Sequence, residues 1–178
     1  MAIKLHANFL KDTQGNHVTS VEPVVVIGDI IYNPEEMTSD YEDLISIARK
    51  PLKLKYALGT QGDGYPGNLS QKRESRPILK KVSTIKETIR LEKDGKRDFK
   101  INSCKINIFN NEYNGETFSD TFGSDSLLDR ECRIFYVTPS VDTIFPYEPV
   151  NEAMMESTSV PTSWAFHAFT GIIVKHNI

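Results

Sequence analysis

Apolar and polar side chains alternate with a period of two along several short stretches of the chain. Leu52, Leu54, Tyr56 and Leu58 interleave with Lys53, Lys55 and Ala57, and Phe99 and Ile101 repeat the spacing, as do Cys104, Ile106 and Ile108. Successive side chains of a strand point to opposite faces of a sheet, so this spacing predicts half-buried strands. The apolar phase slips between Ile101 and Cys104, which predicts a bulge or bend at Asn102 and Ser103.

Further strands are predicted at 132–137 and 169–174, with a looser one from Ile3 to Leu10 and a third set between Thr84 and Glu92. The apolar run from Val21 to Ile31 is broken by Pro23 and by Gly28 and Asp29, consistent with a buried strand that bends or ends there. Asn114-Gly115 in the turn-rich stretch 110–116 is the punctuation of a tight hairpin. Residues 126–129 predict a brief turn. Asp94-Gly95 turns the chain between Leu91 and Phe99, and a shared face for those two side chains favours a three-residue connection with a bulge. One helix is predicted. Ser39 and Glu42 fit a capping box, Tyr41, Leu44, Ile45 and Ala48 recur at helical spacing, and Pro51 stops the segment after Arg49 and Lys50. Residues 59–70 read as loop and 71–81 as a polar extended segment. The stretch 138–163 holds Pro139, Pro146, Pro149 and Pro161 and reads as a long loop. Together these elements predict a mainly β protein, an antiparallel β-barrel or sandwich with one short α-helix. It forms a single domain over 1–178, with 59–81 and 138–163 as extended loops or arms.

The 178 residues suffice for one well-buried domain. No apolar run approaches the roughly 18–20 residues that cross a bilayer. The first ten residues lack the continuous apolar core of a secretory signal, so folding in a cytoplasm is expected. In that reducing setting Cys104 and Cys132 are expected as buried, inert thiols rather than as a disulfide.

Net charge is −3, yet the charges are segregated. Residues 1–48 hold 2 basic and 8 acidic side chains (−6), residues 49–105 hold 16 and 6 (+10), and residues 106–178 hold 3 and 10 (−7). Such a layout lets one copy attract another, or lets the middle of the chain fold against its own flanks.

Candidate chemistry is sparse. Gly62, Gly64 and Gly67 match a G-x-G-x-x-G dinucleotide pattern, but the residues that follow have one apolar side chain before Pro77 and cannot pack a helix on a sheet. His6, His17, His167 and His176 lack metal-ligand spacing. The cluster Asp40, Glu42 and Asp43 is explained by a helix's opening turn. Neither a nucleophile elbow nor a P-loop is present. The sequence therefore predicts no enzyme, no cofactor and no metal. The lysines and arginines of 49–105 resemble a phosphate track in number, but stacking aromatics are few, so nucleic acid ranks below a protein partner. Lys53, Lys55, Lys80 and Lys81 are the expected contacts to a neighbour's acidic surface. Phe145, Tyr147, Met154 and Trp164, apolar side chains on a long loop, are the expected apolar contacts.

The succession Lys100 to Ile108, Asn114-Gly115, Phe118 to Asp120, Leu127 to Tyr136, then Phe169 to Ile173 resembles barrel domains of tail-tip and baseplate-hub proteins of tailed bacteriophages. The resemblance spans residues 84–178. It implies a virion structural protein of the distal tail, assembled in the host cytoplasm, forming a ring with copies of itself and meeting other tail proteins. A host-surface or carbohydrate-binding module is the alternative expectation, and a nucleic-acid-binding protein the third.

Overall fold

The computed structural model describes residues 7–14, 20–28, 31–33, 38–40, 45–59, 66–85, 89–91, 97–99, 103–121, 127–141, 143–144 and 165–177. Its centre is a four-stranded antiparallel sheet of β1 (Glu22–Ile27), β4 (Ile45–Ala48), β11 (Glu131–Val137) and β13 (Phe166–Ile172), in the order β13-β11-β1-β4. Both faces of this sheet are covered. On one face Val24, Val26, Ala48, Phe135 and Val137 pack with Leu54 of β5 (Lys53–Gly59) and Ile144 of β12 (Thr143–Ile144). On the other, Val25, Ile27, Ile45, Ile47, Cys132 and Ile134 pack with Ile78, Phe118, Leu127 and Leu79 of β7 (Leu79–Val82). Cys104, together with Ile106 and Ile108 of β10 (Ile106–Ile108), closes that second cluster. The result is a three-layered mainly β fold: β12-β5-β6, with β6 spanning Pro66–Glu74, on one side and β10-β7 on the other. Among the described strands no sheet closes on itself, so the expected mainly β, antiparallel class holds and the barrel is not seen.

Two covered faces explain the sequence of the central strands. A strand buried on both sides has no polar alternation, and β1 is buried from Pro23 through Ile27. Pro23 is tolerated because the pairing of β1 with β4 begins at Val24, leaving no partner on that side for a missing N–H. Among the described residues of 39–50 the expected helix is absent. Thr38–Asp40 is strand β3, paired with β2 (Ile31–Asn33), and Ile45–Ala48 is β4, with all four residues buried. A short run buried on both faces cannot be told from a helical stripe by spacing. Residues 41–44 lie outside the described set.

Among the described residues two helices occur elsewhere. Ala7–Gln14 forms α1 where a short strand from Ile3 to Leu10 was expected, and Phe118–Thr121 forms α2. At α2 the Thr117 hydroxyl accepts from the Asp120 N–H at 3.2 Å, while the Asp120 carboxylate accepts from the Thr117 N–H at 3.1 Å. That is a capping box with Asp in the usual Glu position.

The stretch 59–81, expected as loop or arm, contains β6, paired antiparallel with β5, and β7, paired with β10. Between them Ser75 and Arg76 carry the chain from one outer layer to the other past the edge of β4. Ala48 N–H donates to Arg76 O at 2.9 Å and Arg76 N–H to Ser46 O at 2.8 Å, which caps part of that edge. The fully buried Ser75 fixes the crossing, its hydroxyl accepting from Leu52 N–H at 2.9 Å. Within 138–163, Thr138 and Val141 bridge across a turn and β12 pairs parallel with β5. Residues 145–164 lie outside the described set.

Strands β8 (Ile89–Leu91) and β9 (Arg97–Phe99) pair as expected, with Leu91 opposite Arg97 and Ile89 opposite Phe99. Leu91 and Phe99 therefore share a face, as expected. The three-residue turn expected at Asp94-Gly95 lies outside the described residues. The Asn-Gly hairpin is present: Asn114 and Gly115 have φ of 55° and 89°, and Tyr113 and Glu116 exchange N–H···O bonds of 2.9 and 3.3 Å. Positive φ at both central positions is the type I′ turn that Asn-Gly favours.

Candidate interface

Lys53 and Lys55 flank the buried Leu54 on β5, so alternation turns both away from the central sheet on the outer surface of that layer. Lys53 is exposed and Lys55 half-buried. Lys80 and Lys81 lie on β7, in the opposite outer layer. Adjacent strand residues normally face opposite ways, yet both of these are exposed. The register explains it: Asn107 pairs with Lys81 and Ile108 with Leu79, so Lys80 is the extra residue of a bulge. The bulge lets Leu79 and Val82, three positions apart, both reach the core. Lys80 Nζ sits 5.4 Å from the centroid of the exposed Phe109 ring, a cation–π contact.

The four lysines expected as one contact surface are thus two pairs on opposite sides of the molecule. Phe145, Tyr147, Met154 and Trp164 lie outside the described residues. The charge blocks also meet within the chain: Lys50 of the basic middle pairs with Glu22 of the acidic start at 3.3 Å.

Another exposed group was missed in the sequence. Ile172 and Val174 are 61% and 78% exposed, and Leu128 is 40% exposed. They adjoin one another, because Asp129 N–H donates to Ile173 O at 2.9 Å and Ile173 N–H to Arg130 O at 3.0 Å. This places an apolar row at the end of β13, an edge strand of the central sheet. The run Ile172, Ile173, Val174 signals burial by composition, but only Ile173 packs on the core. Gly171 also belongs to this strand: a Cβ there would stand 2.8 Å from the Phe169 ring, which lies over the glycine. On the same face as Thr170 and Ile172, Glu131 and Arg133 form a two-bond ion pair of 3.1 and 2.8 Å.

The titratable groups are arranged structurally. Burial pushes the Cys132 thiol up to about 12, with Cys104 and Glu131 adding to the effect. Both cysteines are free and share one core cluster, Cys104 half-buried and hydrogen-bonded around Ser83. Hydrogen bonds from the Thr117 hydroxyl and N–H hold Asp120 below the usual carboxylate range. Among the described residues no three His, Cys, Asp or Glu side chains gather as a metal site. No described helix is long and apolar enough to cross a membrane. Gly67, the last glycine of the G-x-G-x-x-G stretch, lies in β6 and opens no helix. Comparison with family models, curated proteins and solved structures finds no match.

Proposed function

We propose that this protein is a structural component of a bacteriophage tail, at the distal tail, tail tip or baseplate hub. It acts by assembly with copies of itself and with other tail proteins, not by turnover. The observation that carries this reading is the order of elements from 106 to 172. Strand β10, the Asn-Gly hairpin, the short helix α2, the turn at 127–129, β11 and β13 follow one another in the succession on which the sequence resemblance rests. Two surface features support it. Lysines project from both outer layers, suited to acidic neighbours. The edge strand β13 ends in an exposed apolar row with Leu128 and Val174, suited to extension of the sheet by a neighbouring chain.

The test is sedimentation velocity with negative-stain electron microscopy on the purified chain across a range of salt. Closed oligomers are expected. A charge-reversed Lys53→Glu/Lys55→Glu variant is expected to keep its far-UV circular dichroism while shifting towards monomer. A chain that stays monomeric at every concentration rejects the assembly reading. Unchanged oligomer size in the variant rejects the role of that lysine pair.

A further inference from the structure

Helix α1 is held on the body by side chains three positions apart, which share a helical face. Phe9 is 7% exposed and its ring lies 5.8 Å from that of Phe166, which in turn stacks on Tyr136 at 6.4 Å. Asp12 reaches the turn at 138–141. Its Oδ2 accepts from Thr138 Oγ1 at 2.5 Å and from Ser140 N–H at 3.0 Å, and its Oδ1 accepts from Ser140 Oγ at 2.9 Å. These partners lie 126 and 128 residues further along the chain.

All three partners donate to Asp12, an arrangement that favours the ionised carboxylate, because hydrogen bonds to a charged acceptor are the stronger ones. A proton on either oxygen removes the charge that strengthens these bonds, and the hydroxyl facing that oxygen must then turn from donor to acceptor. Among the described residues the charged neighbour is Lys11, on the helix itself. The 138–141 turn brings hydroxyls and an amide, and the strands reached through Phe9 bring the Tyr136 phenol.

We propose that α1 is a proton-released clasp. With Asp12 ionised, the N-terminal helix is fastened to the 138–140 turn; with Asp12 neutral, that hold weakens and the helix opens more often, uncovering Phe166 while the three-layered body stays folded. The hydrogen bond from Thr138 is the largest cause that lowers the Asp12 pKa from its ordinary 3.8; burial comes next and opposes it, and the hydrogen bonds from Ser140 and the charge of Lys11 add to the lowering. A carboxyl depressed in the docked state favours docking above 3.8, and that contribution is lost as pH falls through the lower, docked value.

The experiment is hydrogen–deuterium exchange of the full chain from neutral pH to below 3.8, with rates corrected for intrinsic exchange, beside Asp12→Asn and Ser140→Ala. At neutral pH, Asp12→Asn is expected to lower protection of 7–14 by about tenfold, the order of a lost charge-assisted hydrogen bond. Ser140→Ala is expected to lower it by less and to keep the acid transition. Wild type is expected to lose that protection below 3.8, with β1 and β11 unchanged. Equal protection of 7–14 in Asp12→Asn and wild type overturns the proposal. So does an acid transition in which α1 and β11 lose protection together.

Discussion

Val24 and Val25 are neighbours on β1, both with no exposed surface, and they serve different layers. Val24 lies opposite Phe135 and Ala48 in one core, Val25 opposite Ile134 and Ile47 in the other. In a two-layered sandwich one of two adjacent strand residues faces solvent, and its truncation is nearly neutral. Here both truncations are costly. Val→Ala removes two carbons, about 1.6 kcal/mol at about 0.8 kcal/mol per buried methylene. The cavity left behind raises the loss to about 2 kcal/mol at each site. With a urea slope of about 2 kcal/mol per molar, each variant lowers the unfolding midpoint by about 1 M at unchanged slope. Because the side chains sit in separate clusters, the double variant is expected to lose the sum, within about 0.5 kcal/mol. A single variant within about 0.5 kcal/mol of wild type would refute the third layer.

Two further outcomes follow from local geometry and chemistry. Gly115→Ala places a Cβ in open space but at a φ of 89°, so the loss comes from the backbone alone, about 1 kcal/mol in urea unfolding, while Asn114→Gly costs less. Cys132, its thiol raised from 9.0 to about 12, keeps its proton in the folded chain after the unfolded chain has lost it. The Cys132 contribution to stability is therefore constant below pH 9 and declines above it, a component of the alkaline slope that Cys132→Val removes; a maleimide probe at neutral pH is expected to label the half-buried Cys104 before Cys132.

Strands with one wet face were legible and strands with none were ambiguous. Lys53, Leu54 and Lys55 stated their orientation by alternation, and β5 formed as read. Asn114-Gly115 named its turn type because few other pairs tolerate two positive φ angles. Ile45 to Ala48 carried no such signal, since Ile45 and Ile47 face one layer and Ala48 the other. Strand β6 was hidden for the opposite reason. Its residues from Asn68 to Glu74 are mostly polar, and it is recognised by its backbone pairing with β5. Helix α1 was hidden because its docking depends on Thr138 and Ser140, which no local pattern connects to Asp12. For the candidate interface, the outward direction of Lys53 and Lys55 was readable. That of Lys80 and Lys81 depends on a bulge, which alternation within β7 cannot reveal.

The crossing at Ser75 and Arg76 changes what the charge pattern implies for assembly. It sends β5 and β7 to opposite outer layers, so the basic middle of the chain presents lysines on two sides of one subunit. Two basic sides repel when apposed, and a closed ring needs each contact to join unlike surfaces. On the proposed reading, each lysine pair therefore meets acidic surface supplied from elsewhere. The exposed Glu112 and Glu116 beside the hairpin offer such a surface on a second copy, and a different tail protein is the other source. If one contact uses Lys53 and Lys55 and another uses Lys80 and Lys81, reversing one pair breaks a ring into open chains or dimers. Reversing both reduces it to monomers. Identical species from either single reversal and from the double would mean that only one side is engaged, leaving the second pair as a solvated face.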